Sequence, residues 1–284
     1  MSDDAVPGGR GRHRPGGPAT SDISAAALAA LLSVGLDPVG QVMGACVWCL
    51  DVMPRDASTY TTRVESHLPA GSRWPVNRAP LYAQELRRPR ALALRRLREQ
   101  AQALGAHGVV NVALSWSRWD GDERMAEVTA TGTAVRARSA IDPAFIFSAA
   151  SSAEEVAALM IAGWVPCGIA HGIGVAVQQD DGSVRASRLR GNQEVPSLTD
   201  LVTWARHWSR SAFEAETRRT GGTGAVLGRQ ELEVRREETG TGPQRVAIAT
   251  LVGTALVALP RKTSPAPVPP PLPMLRLPAR ARAV

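Results

Sequence analysis

Apolar and polar residues follow two different periods between residues 85 and 136. Leu86 begins a set of apolar positions spaced three, four or seven residues apart, which is the spacing of one helix face. The other members of this face are Ala93, Leu97, Ala101 and Leu104. After Gly108 apolar and polar residues alternate, as they do along a strand. The stretch therefore predicts a helix and then a β-hairpin that returns through Gly132-Thr133-Ala134.

Two residues set the expected bounds of this helix. Pro89 is tolerated in a first helical turn but disrupts a helix interior, so we expect the regular helix to begin near Arg88. Gly105 predicts its end, because glycine adopts the left-handed conformation without a steric clash.

The same order of features appears a second time along the chain. Gly35, Pro38, Gly40 and Gly44 recur 128 residues later as Gly163, Pro166, Gly168 and Gly172. The glycine turn at 105–108 recurs at 221–224, and the Gly-Thr-Ala strand recurs at 253–255. A further strand is expected in each half, at Thr59 to Val64 and at Val184 to Leu189. We therefore predict an α+β protein built as a tandem repeat of two small α-β-β-α-β-β domains.

The composition of the chain places the expected domain boundaries. Residues 1–22 are polar and rich in Gly and Pro, and residues 260–284 are rich in Pro and Arg, so both segments are predicted to be disordered. Repeat one is expected at 23–137 and a diverged repeat two at 152–259, joined by a linker at 138–151. Ser24 and the Ser152-Ala-Glu-Glu155 capping box predict the first helix of each repeat.

Charge and cysteine content narrow the class of function. The net charge is +7, but the C-terminal segment holds five basic residues and no acid, so the folded part is nearly balanced and nucleic-acid binding is not indicated. Three cysteines and the lack of an apolar leader in the first 22 residues favour a cytoplasmic location. The apolar run Val246 to Leu259 is too short to span a membrane and predicts a strand covered on both faces.

The helix, glycine turn and Gly-Thr-Ala strand resemble the YbjQ-like family, whose description is heavy-metal binding. The resemblance lies in Tyr82-Ala-Gln-Glu-Leu-Arg, in Gln102-Ala-Leu-Gly-Ala-His-Gly-Val-Val, in Thr131-Gly-Thr-Ala-Val and in the strand entry from Gly40 to Gly44. It implies small α+β domains that assemble into rings, typically pentamers, without an established enzyme activity. The chain differs from the family in its second copy, in its proline-rich tail and in having Cys46 near the position of a common acidic residue.

Four residues are candidate metal ligands: Cys46, Cys49, His107 and Cys167. Cys46 and Cys49 form one Cys-x-x-Cys pair, whereas structural zinc usually takes four ligands. Residues three apart on a strand point to opposite faces, so we expect these two thiols not to share an ion. His171 shares a strand face with Cys167 but lies about 13 Å further along, too far for one ion. Buried structural cysteines are therefore the simpler interpretation, with a transition-metal ion as the alternative.

The search for catalytic groups favours a protein that is not an enzyme. No Ser or Cys lies in a nucleophile motif, and Glu214 and Glu216 are interpreted as helix-surface charges. Trp204 and Trp208 lie four residues apart and are expected in the core or in a subunit contact.

Three functions remain open. The first is a non-catalytic cytoplasmic assembly or binding protein that forms a homo-oligomeric ring, such as a pentamer with each repeat in one of two stacked rings. The second is a heavy-metal-binding protein, and the third is an adaptor that recruits a protein partner through the proline-rich tail. No membrane partner is expected.

Overall fold

The computed structural model describes residues 23–49, 76–119, 122–139, 146–180, 191–239 and 242–259. Both terminal segments, residues 140–145 of the linker, and the strands expected at Thr59 to Val64 and Val184 to Leu189 lie outside these residues. The described part contains four helices and two four-stranded sheets, which confirms the α+β class. None of its helices is long and apolar enough to cross a membrane.

Capping side chains define the two short helices as the sequence predicts. The four helices are α1 (Ala25–Ser33), α2 (Pro80–Ala103), α3 (Ala153–Ile161) and α4 (Pro196–Arg219). Ser24 Oγ accepts a hydrogen bond from the Ala27 N–H at 3.0 Å. Ser152 and Glu155 form the reciprocal capping box at the start of α3.

Each sheet is built around one long antiparallel hairpin. The strands are β1 (Leu36–Cys49), β2 (Asn77–Arg78), β3 (Gly108–Trp119), β4 (Asp122–Ala137), β5 (Phe147–Ser148), β6 (Trp164–Gln179), β7 (Gly224–Thr239) and β8 (Gly242–Ala258). The first sheet has the order β1-β4-β3-β5 and the second has the order β2-β6-β8-β7. The two-residue strand β2 comes from the first half of the chain but pairs with β6 of the second half.

The sheets and long helices pack as four alternating layers. Ala93, Leu97 and Ala101 of α2 pack on the inner face of the first sheet. Tyr82 and Leu86, on another side of α2, pack on the outer face of the second sheet. Helix α4 covers the inner face of the second sheet through residues that include Leu201, Ala205 and Trp208. The order is first sheet, α2, second sheet, α4, so α2 belongs to the cores of both halves.

Helix α2 begins at Pro80 and not near Arg88, which corrects the sequence prediction. Pro89 is buried inside the helix, where it removes one backbone hydrogen bond. The first two turns nevertheless remain helical because Tyr82 and Leu86 are buried against the second sheet. Tertiary packing outweighs the local cost of proline here.

The two halves share local geometry at matching positions. Strands β1 and β6 each carry a register shift after a proline, between Pro38 and Gly40 in β1 and between Pro166 and Gly168 in β6. The glycines that end the four helices, Gly35, Gly105, Gly163 and Gly221, all have positive φ. The run from Val246 lies within β8 as far as Ala258 and is buried on both faces as far as Leu256, which agrees with the prediction over that part of the run. Descent of the halves from one duplicated domain, and the domain boundaries given above, stay predictions.

Candidate functional site

A cavity of about 450 Å³ lies where α2, β6 and α4 meet. Its lining contains a group of charged and titratable side chains, which are Arg78, Arg87, Arg88, His171, Glu216 and Arg219. These residues come from both halves of the chain, so the cavity exists only because the halves pack together. We call it the junction groove.

Glu216 is the acidic residue to which two arginines of the junction groove bind. It is 3% exposed, which corrects its interpretation as a helix-surface charge. Its carboxylate accepts a hydrogen bond from Arg87 of α2 at 3.1 Å and from Arg219 of α4 at 2.9 Å. Burial alone favours the protonated carboxyl, but the Arg219 hydrogen bond and the neighbouring positive charges outweigh it and hold the pKa of Glu216 below its ordinary value.

His171 lies on β6, on the face of the second sheet that α2 covers. It is 4% exposed, and no described residue bonds its buried Nδ1. Burial lowers the pKa of His171 to about 4, and the charges of Arg87, Arg90 and Arg219 act in the same direction against the opposing charge of Glu216. The imidazole is therefore neutral at pH 7.

The chemistry of the junction groove is that of an ion-paired contact between helices. An ionised carboxylate and a neutral imidazole lie beside several guanidinium groups, and the lining has no hydroxyl or thiol nucleophile among the described residues. The arrangement joins α2 to α4 through Glu216. Sequence reasoning missed it because Arg87 and Glu216 are 129 residues apart.

A second cavity of about 550 Å³ lies between α2, β3 and the β7–β8 hairpin. The Arg90 guanidinium lies 4.6 Å from the centre of the Trp116 ring, a cation–π contact. Arg235 donates a hydrogen bond to the Tyr82 hydroxyl, and burial raises the pKa of Tyr82. Aromatic and arginine side chains thus join the halves here as well.

The structure places Cys46 and Cys49 on opposite faces of β1, as the strand spacing predicts. Cys46 is buried against α2, where its thiol donates a hydrogen bond to the Pro89 carbonyl at 3.3 Å. Cys49 is exposed on the other face. Burial raises the pKa of the Cys46 thiol, which disfavours the thiolate that a metal ion requires.

His107 and Cys167 lie away from this pair. His107 Nδ1 accepts a hydrogen bond from the Ala137 N–H at 3.1 Å, which fixes the turn after α2. Strand register places Gly108 opposite Val135 and Cys46 opposite Val128, seven residues or about 24 Å apart along β4. Cys167 is half-buried in the second sheet, packed against a cluster that includes Phe213, and burial raises its pKa.

The four candidate ligands therefore do not fit one shared metal site. Across the part of the chain that the structure describes, no three His, Cys, Asp or Glu side chains are grouped closely enough to hold an ion. Cys46 Sγ and His107 Nδ1 already have hydrogen-bond partners within the fold.

The fold places the chain among mixed α+β proteins with long antiparallel hairpins. A family described as "YbjQ_1: Putative heavy-metal-binding" matches residues 76–138, which run from the residue before β2 to the residue after β4. The chain is also 30% identical over 218 residues to the encapsulin nanocompartment protein Rv1762c of Mycobacterium tuberculosis, covering 73% of this chain and 75% of that protein. The chain belongs to the YbjQ-like family, which confirms the resemblance drawn from its motifs.

Proposed function

We propose that this protein is a non-catalytic component of an encapsulin-type nanocompartment, acting in the cytoplasm as an assembly or binding protein. The observation that carries the proposal is its 30% identity, over about three-quarters of both chains, to a protein named for such a compartment. The junction groove agrees with this role, since its buried charges connect helices and offer no nucleophile among the described residues.

The proline-rich segment 260–284 is the proposed attachment point to the compartment. Its sequence includes Pro-Ala-Pro-Val-Pro-Pro-Pro-Leu-Pro, a composition that favours an extended polyproline II conformation. Such segments bind grooves of partner proteins at a low entropic cost, because they are already extended. The segment also carries five positive charges and no negative ones, which favours an acidic groove.

Co-expression with an encapsulin shell protein from the same organism tests the proposal. The full chain should sediment with the assembled shells, and a chain lacking residues 260–284 should remain in the low-mass fractions. The truncated chain must keep the circular dichroism spectrum of the full chain for this comparison. Full-length protein that never sediments with shells would contradict the proposed function. Co-sedimentation that survives the deletion would contradict only the role of the tail.

Metal binding is the second candidate function, favoured by the description of the family model. The separation of Cys46, Cys49, His107 and Cys167 argues against one shared site, so we expect untagged protein to carry well under one transition-metal ion per chain. Elemental analysis of the purified protein and of a Cys46→Ser, Cys49→Ser double variant measures this. Stoichiometric metal that the double variant loses would instead establish metal binding at these cysteines.

A further inference from the structure

The second cavity, of about 550 Å³, lies between the two sheets and beside α2. Strand β3 of the first sheet forms one wall, and strands β7 and β8 of the second sheet form the opposite wall. Helix α2 contributes Tyr82, Leu86 and Arg90. Small-molecule sites in proteins have volumes of about 300–1,000 Å³, so this space is large enough for a ligand. We call it the inter-sheet cavity, and the assembly role proposed above does not use it.

The inter-sheet cavity has a buried apolar interior and a charged rim. Leu86, Ile248 and Val252 are buried and line the interior. The half-buried ring of Trp116 forms part of the β3 wall. The rim consists of exposed charged side chains of β7, which are Arg229, Glu231 and Glu233. An apolar interior with a few polar groups is typical of a site that holds a small organic molecule.

Arg90 places a buried positive charge in the wall of this cavity. The residue is 9% exposed, and burial lowers the pKa of its guanidinium to about 10, so the group is still charged at pH 7. One N–H donates to the Leu86 carbonyl at 2.6 Å, and the guanidinium lies 4.6 Å from the centre of the Trp116 ring. Among the residues that the structure describes, no carboxylate lies within ion-pair distance of Arg90.

The acidic residues of the cavity already have arginine partners on their own strand. Glu231 forms an ion pair with Arg229, and Glu233 lies 3.8 Å from Arg235. The charge of Glu231 acts on Arg90 only through space. Three arginines and two glutamates line the cavity, so Arg90 is its excess positive charge. A buried charge without a counter-ion is strongly unfavourable, and a bound anion would therefore stabilise the folded chain.

We propose that the inter-sheet cavity binds a small monocarboxylic acid with a flat apolar body, whose carboxylate pairs with Arg90. A guanidinium donates two parallel hydrogen bonds to a carboxylate, and Arg90 uses only one of its N–H groups on a described residue. The apolar body lies against Leu86, Ile248 and Val252. An aromatic ring also packs favourably beside Trp116, in an offset or edge-to-face arrangement.

The charges around the cavity select a ligand with a single negative charge. Glu231 and Glu233 repel any further negative charge at the rim. Arg235 does not offset this repulsion, because it donates to the Tyr82 hydroxyl and lies 2.6 Å from Glu237. Inorganic phosphate and phosphate esters carry more charge, and inorganic phosphate has no apolar part to fill the interior. They are therefore poor ligands for this site.

Calorimetric titration of the purified full chain tests the proposal with three probes. Naphthoate, an aromatic monocarboxylate, should bind saturably at one site per chain. Its neutral amide has the same ring system and should bind at least about tenfold more weakly, because it cannot form the ion pair. Inorganic phosphate should give no saturable heat and should not displace naphthoate.

Matched arginine variants on α2 test which charge is responsible. Arg90→Met keeps an apolar stem but removes the charge, so it should weaken naphthoate binding by about thirtyfold and leave the amide unaffected. Arg95→Met changes an arginine of the same helix that is 69% exposed, and it should bind naphthoate as the wild type does. Glu231→Gln removes a negative charge at the rim and should strengthen binding. Circular dichroism should show that all three variants keep the fold, since Arg90→Met removes a charge that has no counter-ion.

Three results would each overturn the proposal: no saturable binding of naphthoate at millimolar concentrations, equal affinity for naphthoate and its amide, or unweakened naphthoate binding by Arg90→Met. Displacement of naphthoate by phosphate would overturn the assignment to carboxylic acids. If Arg90→Met does not fold, the comparison of acid and amide on the wild-type chain still decides. None of these measurements involves shell protein, so this proposal and the assembly role fail separately.

Discussion

Two acidic residues two positions apart on α4 differ completely in their surroundings. Glu216 is buried and accepts hydrogen bonds from both Arg87 and Arg219, whereas Glu214 is exposed and lies 3.5 Å from Arg218. A buried ion pair that loses one partner leaves an uncompensated charge, but an exposed pair contributes little. The pair of positions therefore gives a matched comparison on one helix.

Glu216→Gln should lower the free energy of unfolding by about 2 kcal/mol, since the guanidinium groups of Arg87 and Arg219 are themselves partly solvated. Glu214→Gln should change it by less than about 0.5 kcal/mol. Chemical denaturation followed by tryptophan fluorescence measures both values. Equal effects of the two substitutions would contradict the central position of Glu216 in the junction groove.

The buried imidazole of His171 makes stability depend on pH. Its pKa is about 4 in the folded chain and about 6.5 when solvated. The unfolded chain therefore binds a proton more readily between these values, and stability present above pH 6.5 is lost as the pH falls toward 4. At about 1.4 kcal/mol per pKa unit, the loss from this group is about 3 kcal/mol.

Unfolding curves at pH 7 and pH 4.5 should show this loss in the wild type and a smaller one in His171→Leu. The comparison isolates the imidazole, because the carboxyl groups that also titrate are the same in both proteins. His207→Leu removes an exposed histidine of α4 and should keep the wild-type pH dependence. A pH dependence that His171→Leu leaves intact would show that another group is responsible.

At the scale of elements, the approach of α2 to the first sheet requires a glycine. A Cβ added at Gly44 would collide with the Ala93 carbonyl of α2, whereas one at Gly40 would meet only the end of the Leu104 side chain at 3.8 Å. Gly44→Ala should therefore destabilise the fold by about 2–3 kcal/mol through forced separation of helix and strand. Gly40→Ala should be nearly neutral. Thermal unfolding of the two variants checks this difference.

The elements that sequence reasoning predicted are those with local determinants. The helix N-caps, the terminal glycines, the alternation along β3 and the apolar run of β8 act within a few residues, and the structure contains each of them. The two-residue strands β2 and β5 were not predicted, because two residues are too few to show an alternation of apolar and polar positions. They exist only through pairing with strands that are distant in the sequence.

The second buried side of α2 escaped prediction for a different reason. Arg87 and Arg90 lie on this side of the helix. Arginine in a sequence is usually interpreted as solvent-facing, although its aliphatic stem is often buried. The burial of Glu216 was missed for the same reason, because a charged residue type indicates exposure. Its burial depends on a helix from the other half of the chain. Candidate ligands were predicted from residue type and from the Cys-x-x-Cys spacing, and the structure shows that they lie on different faces and in different sheets.

At the scale of the whole molecule, the arrangement of copies sets the mass of the assembly. A chain with two half-units supplies them in even numbers, so a single ring of three chains is the alternative arrangement. The stacked arrangement of five chains, with each repeat in its own ring, is the one that the family resemblance predicts. Light scattering separates the two, since the first gives about three chain masses and the second about five. A mass that grows without limit would indicate an open filament.

The sharing of α2 between two sheets has a consequence for synthesis on the ribosome. Strands β1, β3 and β4 of the first sheet and helix α2 are complete once residue 137 has emerged, but Tyr82 and Leu86 have nothing to pack on until β6 and β8 follow, the latter ending at Ala258. A nascent chain of intermediate length therefore exposes an apolar helix face for as long as the second half takes to be translated. A fragment ending at residue 139 should bind a hydrophobic dye strongly and aggregate, unlike the full chain. We therefore expect correct folding to depend on prompt completion of the second half of the chain.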